Sequence, residues 1–456
     1  MPTGHCARFA LKHAREAKGG RLRILLDISR LISGTARPVP TGIDRVEYAY
    51  ARHFLARDPA RVTFLMSGPF LPPVALPHAL VARLLQALQA LWRGASQADT
   101  AWGEARWLAR QAQARYWLGR GRGALRQALQ GTEPVLHLLV SHRGADRPGP
   151  ILALKRQGAR FIPFVHDLIP ITHPEYAPPR STRRHQRRLQ SFSDLADGII
   201  VNSAATGATL APYLAAGARR PIPVLPAPLG LDPVLPDSGY PRPAGPYFLC
   251  LGTIEPRKNH LLLLNLWRDL AATLGDAAPK LVLIGRRGWE NENTLDMLER
   301  CPALSGRVIE HAGLPDAAVA GLLQGARALL FPSFAEGYGL PLAEALALGV
   351  PAICSDLPAL REVGGEAPEY LDPLDGPGWR RLILDYAAPD NGLRQAQIAR
   401  LAAWSAPSWD AHFALVDPFL EDCAKVAPRA AAEASPAFSP MAPASAALAP
   451  QSLPRG

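Results

Sequence analysis

The sequence predicts an α/β fold of two doubly wound domains, each a parallel sheet wrapped by helices, facing each other across a cleft. Three observations carry this. Strand-length apolar runs alternate with helical stretches along nearly the whole chain. A Pro- and Gly-rich stretch without periodicity, Leu231–Pro246, divides these runs into two sets. The length of 456 residues also suits two or three domains, each large enough for its own core.

The strands expected in the first half are Leu22–Ile28, Val62–Met66, Val135–Val140, Phe161–Val165, Gly198–Asn202 and Ile222–Pro226. Those expected in the second are Tyr247–Gly252, Lys280–Gly285, Arg307–Glu310, Ala328–Phe331 and Ala352–Ser355. The predicted organisation is an N-terminal domain over 1–232, a linker over 233–246 and a second domain over 247–392. Helices over 393–425, anchored by Trp404 and Trp409, and an Ala/Pro-rich tail over 428–456 with little to bury complete it. Doubly wound sheets bind ligands at the carboxyl ends of their strands, so the site is expected between the two domains. One segment departs from this plan. Residues 78–130 form a helical insertion with Trp92, Trp102, Trp107 and Trp117 among arginines that include Arg93, Arg106, Arg110, Arg115, Arg120, Arg122 and Arg126, and no single clean apolar face. Such Trp and Arg content fits either ordinary packing with solvated arginines or an interfacial membrane helix.

A net charge of +11 rests on arginine, with only six lysines, and suits phosphate-bearing substrates or an anionic membrane face. Nucleic acid is not an expected partner, because no zinc-finger, homeodomain or RNA-recognition pattern is present. The five cysteines (Cys6, Cys250, Cys301, Cys354, Cys423) are scattered and odd in number, which fits a reduced compartment. No apolar run reaches membrane-spanning length, and Met1–Ser29 lacks a signal-peptide core. The expected location is the cytoplasm, with peripheral contact at the inner membrane face as an option.

The most informative segment is Glu336-Gly-Tyr-Gly-Leu-Pro-Leu-Ala-Glu344. It joins an apolar strand to a helix, with Pro341 in the first turn and Gly349 and Pro351 past the end. Unpaired N–H groups and the dipole at the helix start favour an anion, and Gly337 and Gly339 permit close approach to the backbone. Glu336 and Glu344 can face the same crevice, so the segment fits a ligand with both phosphate and hydroxyls, such as a nucleotide sugar. The plainer alternative is that Glu336 complements the dipole and Glu344 is solvated.

A second motif, Leu251-Gly-Thr-Ile-Glu-Pro-Arg-Lys-Asn-His260, follows a strand and opens a helix. The fork of Arg257 and the compact charge of Lys258 suit a diphosphate leaving group. Cations there would otherwise oppose the helix dipole. In the first half, His166-Asp167 ends a strand; adjacent side chains point to opposite faces, so the pair is no relay. Gly42 sits in the first loop, Arg45 either meets a phosphate or pairs on its helix, and Arg180–Arg188 is a basic run, solvated or facing a lipid diphosphate.

The stretch FPSFAEGYGLPLAEALALGVPAICSDLPALREVGG resembles the signature of retaining glycosyltransferases of family 4, also called group 1. The 251–260 motif resembles that family's diphosphate loop, and the likeness is strongest over 247–372. The resemblance implies the GT-B arrangement: a Rossmann-like acceptor domain, a nucleotide-sugar-binding domain, and C-terminal helices crossing back to the first. It implies Arg257 and Lys258 as diphosphate ligands, Glu336 on the sugar hydroxyls and Glu344 on the ribose, with Gly337, Tyr338, Gly339 and Leu340 at the donor. His166 is implied at the transferred sugar, and Gly42 and Gly252 as close-approach positions; Thr41-Gly42 stands where the family has Gly-Gly. The strand end 308–313 is expected to line the base. No metal cluster or Asp-x-Asp stands out, so no metal or cofactor is expected. Retention by front-face attack, with the donor phosphate taking the acceptor proton, leaves no protein general base to name. The expected activity moves a sugar, with GDP-mannose the donor, onto a polysaccharide or lipid-linked oligosaccharide. The alternatives are an epimerase or a sucrose/trehalose-type synthase on the same fold, or a non-catalytic nucleotide-sugar-binding scaffold subunit of envelope assembly.

Overall fold

The computed structural model describes residues 22–94, 98–218, 220–389 and 392–428. The expected tail over 428–456 and Cys6 lie almost wholly outside them.

Two sheets organise the chain. The first runs in the order β3-β2-β1-β4-β5-β6-β7, with β1 Arg23–Asp27, β2 Val62–Met66, β3 Val74–Leu76, β4 Val135–Leu139, β5 Arg160–Val165, β6 Ile199–Val201 and β7 Val224–Pro226. The second runs β10-β9-β8-β11-β12-β13, with β8 Tyr247–Leu251, β9 Lys280–Ile284, β10 Val308–His311, β11 Leu329–Phe331, β12 Ala352–Ser355 and β13 Glu369–Leu371. Pairing is parallel throughout except β2 with β3. Residues of β1, β4, β5, β8 and β9 are buried on both faces, as helix-covered parallel strands require.

In each sheet the strand order reverses once, between β1 and β4 and between β8 and β11. Loops leaving the carboxyl ends of the strands flanking such a reversal diverge and open a crevice. The Arg257–Lys258 loop follows β8 and the Glu336–Gly339 loop follows β11, so the two motifs meet at the switch point of the second sheet.

The helix Trp409–Lys425 lies against the first half. His412 Nε2 is 2.9 Å from the Tyr50 hydroxyl, and Phe413 stacks on His53 at 3.6 Å. The insertion forms helices His78–Arg93, Ala98–Trp117 and Arg122–Leu129. Contrary to the expectation of no clean face, the first buries Leu80, Val81, Leu84, Leu85, Leu88 and Leu91 along one stripe. The polar second helix had diluted that pattern. Trp92 packs edge-on to Tyr48, and Trp102 donates to the Thr35 carbonyl at 2.9 Å. Trp107 and Trp117 face outward. Among the described residues no helix is long and apolar enough to cross a membrane.

Candidate active site

A cleft of about 1500 Å³ runs between the two sheets and is lined by residues of both halves. His166, Gly42, Gly252, Arg257, Lys258, Glu336, Gly337, Tyr338, Gly339, Leu340 and Glu344 all border it, so the sequence-predicted residues from distant segments converge there.

At its centre is a four-residue charge network. Lys258 Nζ donates to Glu336 Oε1 at 2.5 Å, and Arg257 Nη1 lies 3.0 Å from Glu336 Oε2. Arg257 Nε lies 2.5 Å from Glu255 Oε1 and its Nη1 also donates to the Ala335 carbonyl. The Lys258 and Glu336 side chains are each only 7% exposed. Burial alone would raise the Glu336 carboxyl, but Arg257 and Lys258 outweigh it and hold that group at about 2. Burial also works against the charge on Arg257, yet Glu336 and Glu255 keep it above its ordinary range. The site therefore holds an ionised carboxylate between two cations.

This refines the role given to Glu336. It is no free carboxylate waiting for hydroxyls; both oxygens already accept from the cations, and only its remaining lone pairs are open to a sugar. Glu255, two residues before Arg257, was in the quoted motif but had no role; it fixes the guanidinium from the opposite side.

The glycines serve different ends. Gly252 has φ +145°, and a Cβ there would lie 3.3 Å from Lys258 Cε, so its bareness lets the lysine stem pass. A Cβ on Gly337 would sit 2.2 Å from the His166 carbonyl oxygen. Gly337 thus presses against backbone of the first half, where the expectation was ligand approach. The Gly337 carbonyl accepts from Ser203 Oγ at 2.8 Å and Thr206 Oγ1 at 3.1 Å. Gly339, at φ +105°, opens the helix Leu340–Ala347, and no side chain caps that end.

Gly42 is the first residue of helix Gly42–Arg57, which Thr41 and Asp44 open with a reciprocal capping box where the first loop was expected to lead into a helix. A Cβ on Gly42 would come 3.1 Å from Leu340 Cδ1, so two helix starts from opposite halves abut. Arg45 forms a two-pronged ion pair with Asp316 across the cleft, at 2.8 and 2.6 Å. Neither role expected for Arg45, phosphate contact or pairing on its own helix, describes that bridge. Glu344 is lifted to about 7, chiefly by burial, with Arg45 opposing and Asp316 adding to the shift. Glu344 is half-buried on the cleft wall.

His166 is buried, its Nε2 is 2.7 Å from the Val140 carbonyl, and burial lowers its imidazole to about 4. The ring is neutral, with Nδ1 its remaining hydrogen-bonding atom. Asp167 Oδ1 accepts from the Ile169 N–H at 3.1 Å, a turn cap. Sequence reasoning missed Asn202, whose amide holds the His166 carbonyl at 2.8 Å, and Trp289 and Arg286 on the cleft wall. Among the described residues, no group of three or more His, Cys, Asp or Glu is placed to hold a metal.

Residues 240–367 match the model of glycosyl transferases group 1. The O-antigen chain mannosyltransferase B of Escherichia coli is 31% identical over 271 residues, which are 58% of this chain and 70% of that protein. The chain belongs to glycosyltransferase group 1. The serotype-specific mannosyltransferase WbdA of Escherichia coli is 29% identical over 252 residues, 51% of this chain but only 30% of its own length. Among solved structures, Anabaena Alr3699/HepE in complex with UDP and glucose superposes with a TM-score of 0.55 at 13% identity, over 88% of this chain and 99% of that one. An α,α-trehalose-phosphate synthase from Burkholderia xenovorans gives 0.54 at 13%, over 89% and 100%. At that identity they show the fold, the two-domain GT-B arrangement of a group 1 glycosyltransferase.

Proposed function

We propose that this glycosyltransferase moves mannose from GDP-mannose to a glycan or lipid-linked glycan acceptor, with retention of configuration and without a metal. The observation that carries the reading is the Glu255–Arg257–Glu336–Lys258 network at the switch point of the second sheet. Two fixed cations at a strand end stabilise the charge that grows on a departing nucleoside diphosphate. In the step, the anomeric carbon–phosphate oxygen bond breaks while the acceptor oxygen bonds to the same face. The acceptor proton passes to the departing phosphate. Glu344 holds the ribose hydroxyls, and Glu336 holds sugar hydroxyls while ordering the cations. The mannosyltransferase names of the relatives support the sugar.

Location at the inner membrane face belongs to the same proposal. Phe70, Trp117 and Leu118 are 77%, 58% and 65% exposed, Phe70 stacks on Trp117, and Arg120 and Arg122 follow directly. Aromatic and aliphatic side chains beside arginines fit an anionic interface.

A thermal-shift screen against GDP-, UDP-, dTDP- and ADP-sugars tests the donor, because a ligand stabilises by an amount set by its concentration over Kd. GDP-mannose is expected to give the largest rise. A larger rise with another nucleotide sugar overturns the donor, and no rise with any overturns the site.

A further inference from the structure

The wall of the cleft belonging to the first half carries cations that the transfer step does not use. Helix Pro179–Leu195 presents Ser181, Arg184, His185 and Arg188 to the cleft, one face at helical spacing, while Arg180, Arg183 and Arg187 are exposed and do not line it. The basic run Arg180–Arg188 thus splits by position: three arginines lie off the cleft and two stand on its wall, Arg188 partly buried and Arg184 still half exposed at 52%.

The inward arginines differ in what holds them. Arg184 Nε has a counterion, Asp146 Oδ2 at 3.1 Å. Arg188 makes no ion pair among the described residues; its hydrogen-bond partner is His185 Nδ1, 3.1 Å from Nη1, and the Asp146 and Asp167 carboxylates act on it only from beyond contact distance. Its Nε is shut off from solvent and makes no hydrogen bond, and the same holds for His185 Nε2. A largely desolvated guanidinium without a contact counterion is unfavourable, and an incoming anion relieves it. Burial lowers Arg188 to about 10; Asp146 and Asp167 oppose that shift, and Arg184 and Arg30 add to it.

The place of this group is informative. His142 lies with its ring 5.1 Å from His185 and 5.3 Å from His166, so the imidazoles link Arg188 to the reacting region. Asp167 lines the same cleft as Arg188 and Arg257, and its charge favours the ionised form of both. Arg257 and Lys258 are already neutralised by Glu336 and Glu255 and lie on the donor side. Arg188 lies on the opposite wall and has no carboxylate in ion-pair contact among the described residues.

We propose that Arg188, with Arg184 and His185, binds a phosphate or diphosphate ester on the acceptor, so that the enzyme elongates a phosphate-linked glycan and discriminates against a neutral one. This rests on the glycosyltransferase reading of the cleft. A planar fork flanked by a second guanidinium and a hydrogen-bonding imidazole is the donor set that phosphate oxygens accept from. A neutral glycan would leave Arg188 uncompensated.

The experiment separates the two anion sites. The protein is first saturated with whichever of GDP, UDP, dTDP and ADP stabilises it, then titrated calorimetrically with inorganic pyrophosphate, farnesyl diphosphate and farnesol. A further equivalent of pyrophosphate is expected to bind, and Arg188→Gln is expected to weaken it about tenfold or more, the value of one charged hydrogen bond, with nucleotide affinity unchanged. Arg188→Lys should fall between. Because Arg188→Gln removes an uncompensated charge, its melting temperature should equal or exceed that of the wild type, which guards against misfolding as the cause. Tighter binding of farnesyl diphosphate, with none of farnesol, assigns the phosphate to a lipid carrier; equal binding of both diphosphates assigns it to the glycan itself. No second equivalent, or one that Arg188→Gln leaves intact, overturns the proposal. Absence of any nucleotide shift at the outset would strike the nucleotide site proposed above; the same titrations on the free protein, wild type against Arg188→Gln, would then still decide the Arg188 proposal.

Discussion

Lys258 sits in a buried ion pair, so its removal perturbs two things at once, and the structure shows how to separate them. In Lys258→Met the ammonium 2.5 Å from Glu336 Oε1 is lost, while Arg257 still holds Oε2 at 3.0 Å. Breaking one partner of a buried pair costs about 3 kcal/mol of stability because the other charge stays buried. The same change removes one of two cations from the leaving group, a loss of about 3 kcal/mol in the barrier, or roughly a hundredfold in kcat. Pairing Lys258→Met with Glu336→Gln removes the orphaned carboxylate. The double variant should recover most of the melting temperature and none of the turnover. Differential scanning calorimetry and initial-rate assays under saturating donor supply the two readouts. If turnover returns along with stability, Lys258 only balances Glu336 and the leaving-group argument fails.

Other consequences follow from the same geometry. Turnover should be unchanged by EDTA, since Arg257 and Lys258 supply the charge; full loss restored by Mg²⁺ would refute this. Gly337→Ala puts a methyl 2.2 Å from the His166 carbonyl, so the halves must separate there; kcat/KM should fall at least about tenfold, read by steady-state kinetics, and an unchanged value would show the seam is not needed. Burial lifts Glu344 to about 7, with Arg45 opposing, and in its proposed role it would hold ribose hydroxyls best as a carboxylate. Donor KM should therefore rise as pH falls below about 7, and Glu344→Gln should flatten that profile. For stability the sign runs the other way: the folded group is raised above its unfolded value. Its contribution is present at low pH and lost as pH rises through about 7, which a melting series at pH 5 to 8 would show. Arg45→Ala should raise donor KM further by leaving Asp316 and Glu344 without their cation.

Much of the fold was legible because parallel strands buried on both faces read as continuous apolar runs, as in YFLCL of β8 and KLVLI of β9. β3 and β13 were not legible: each has three residues and too few to show a period. The second-half site was legible because Arg257, Lys258 and Glu336 stand in local strand–loop–helix motifs. What sequence could not supply were relations between segments far apart in the chain. The Arg45–Asp316 bridge and the press of Gly337 on His166 depend on how the halves meet. The helix that starts at Thr41-Gly42 was legible because its Thr41–Asp44 capping box is local in sequence. The inward half of Arg180–Arg188 was hidden because exposure of alternate arginines is set by the opposing wall, not by the run itself.

The central claim is transfer of the sugar from its nucleotide with the anomeric configuration kept. Its most direct measurement is proton NMR of the first glycoside formed from GDP-α-mannose and a diphosphate-linked mannoside, with Lys258→Met as the control. The account predicts an α-linked product from the wild-type enzyme and, from the variant, the same product at a rate about a hundredfold lower. A β-linked product, or α-linked product at equal rates from both proteins, would contradict it.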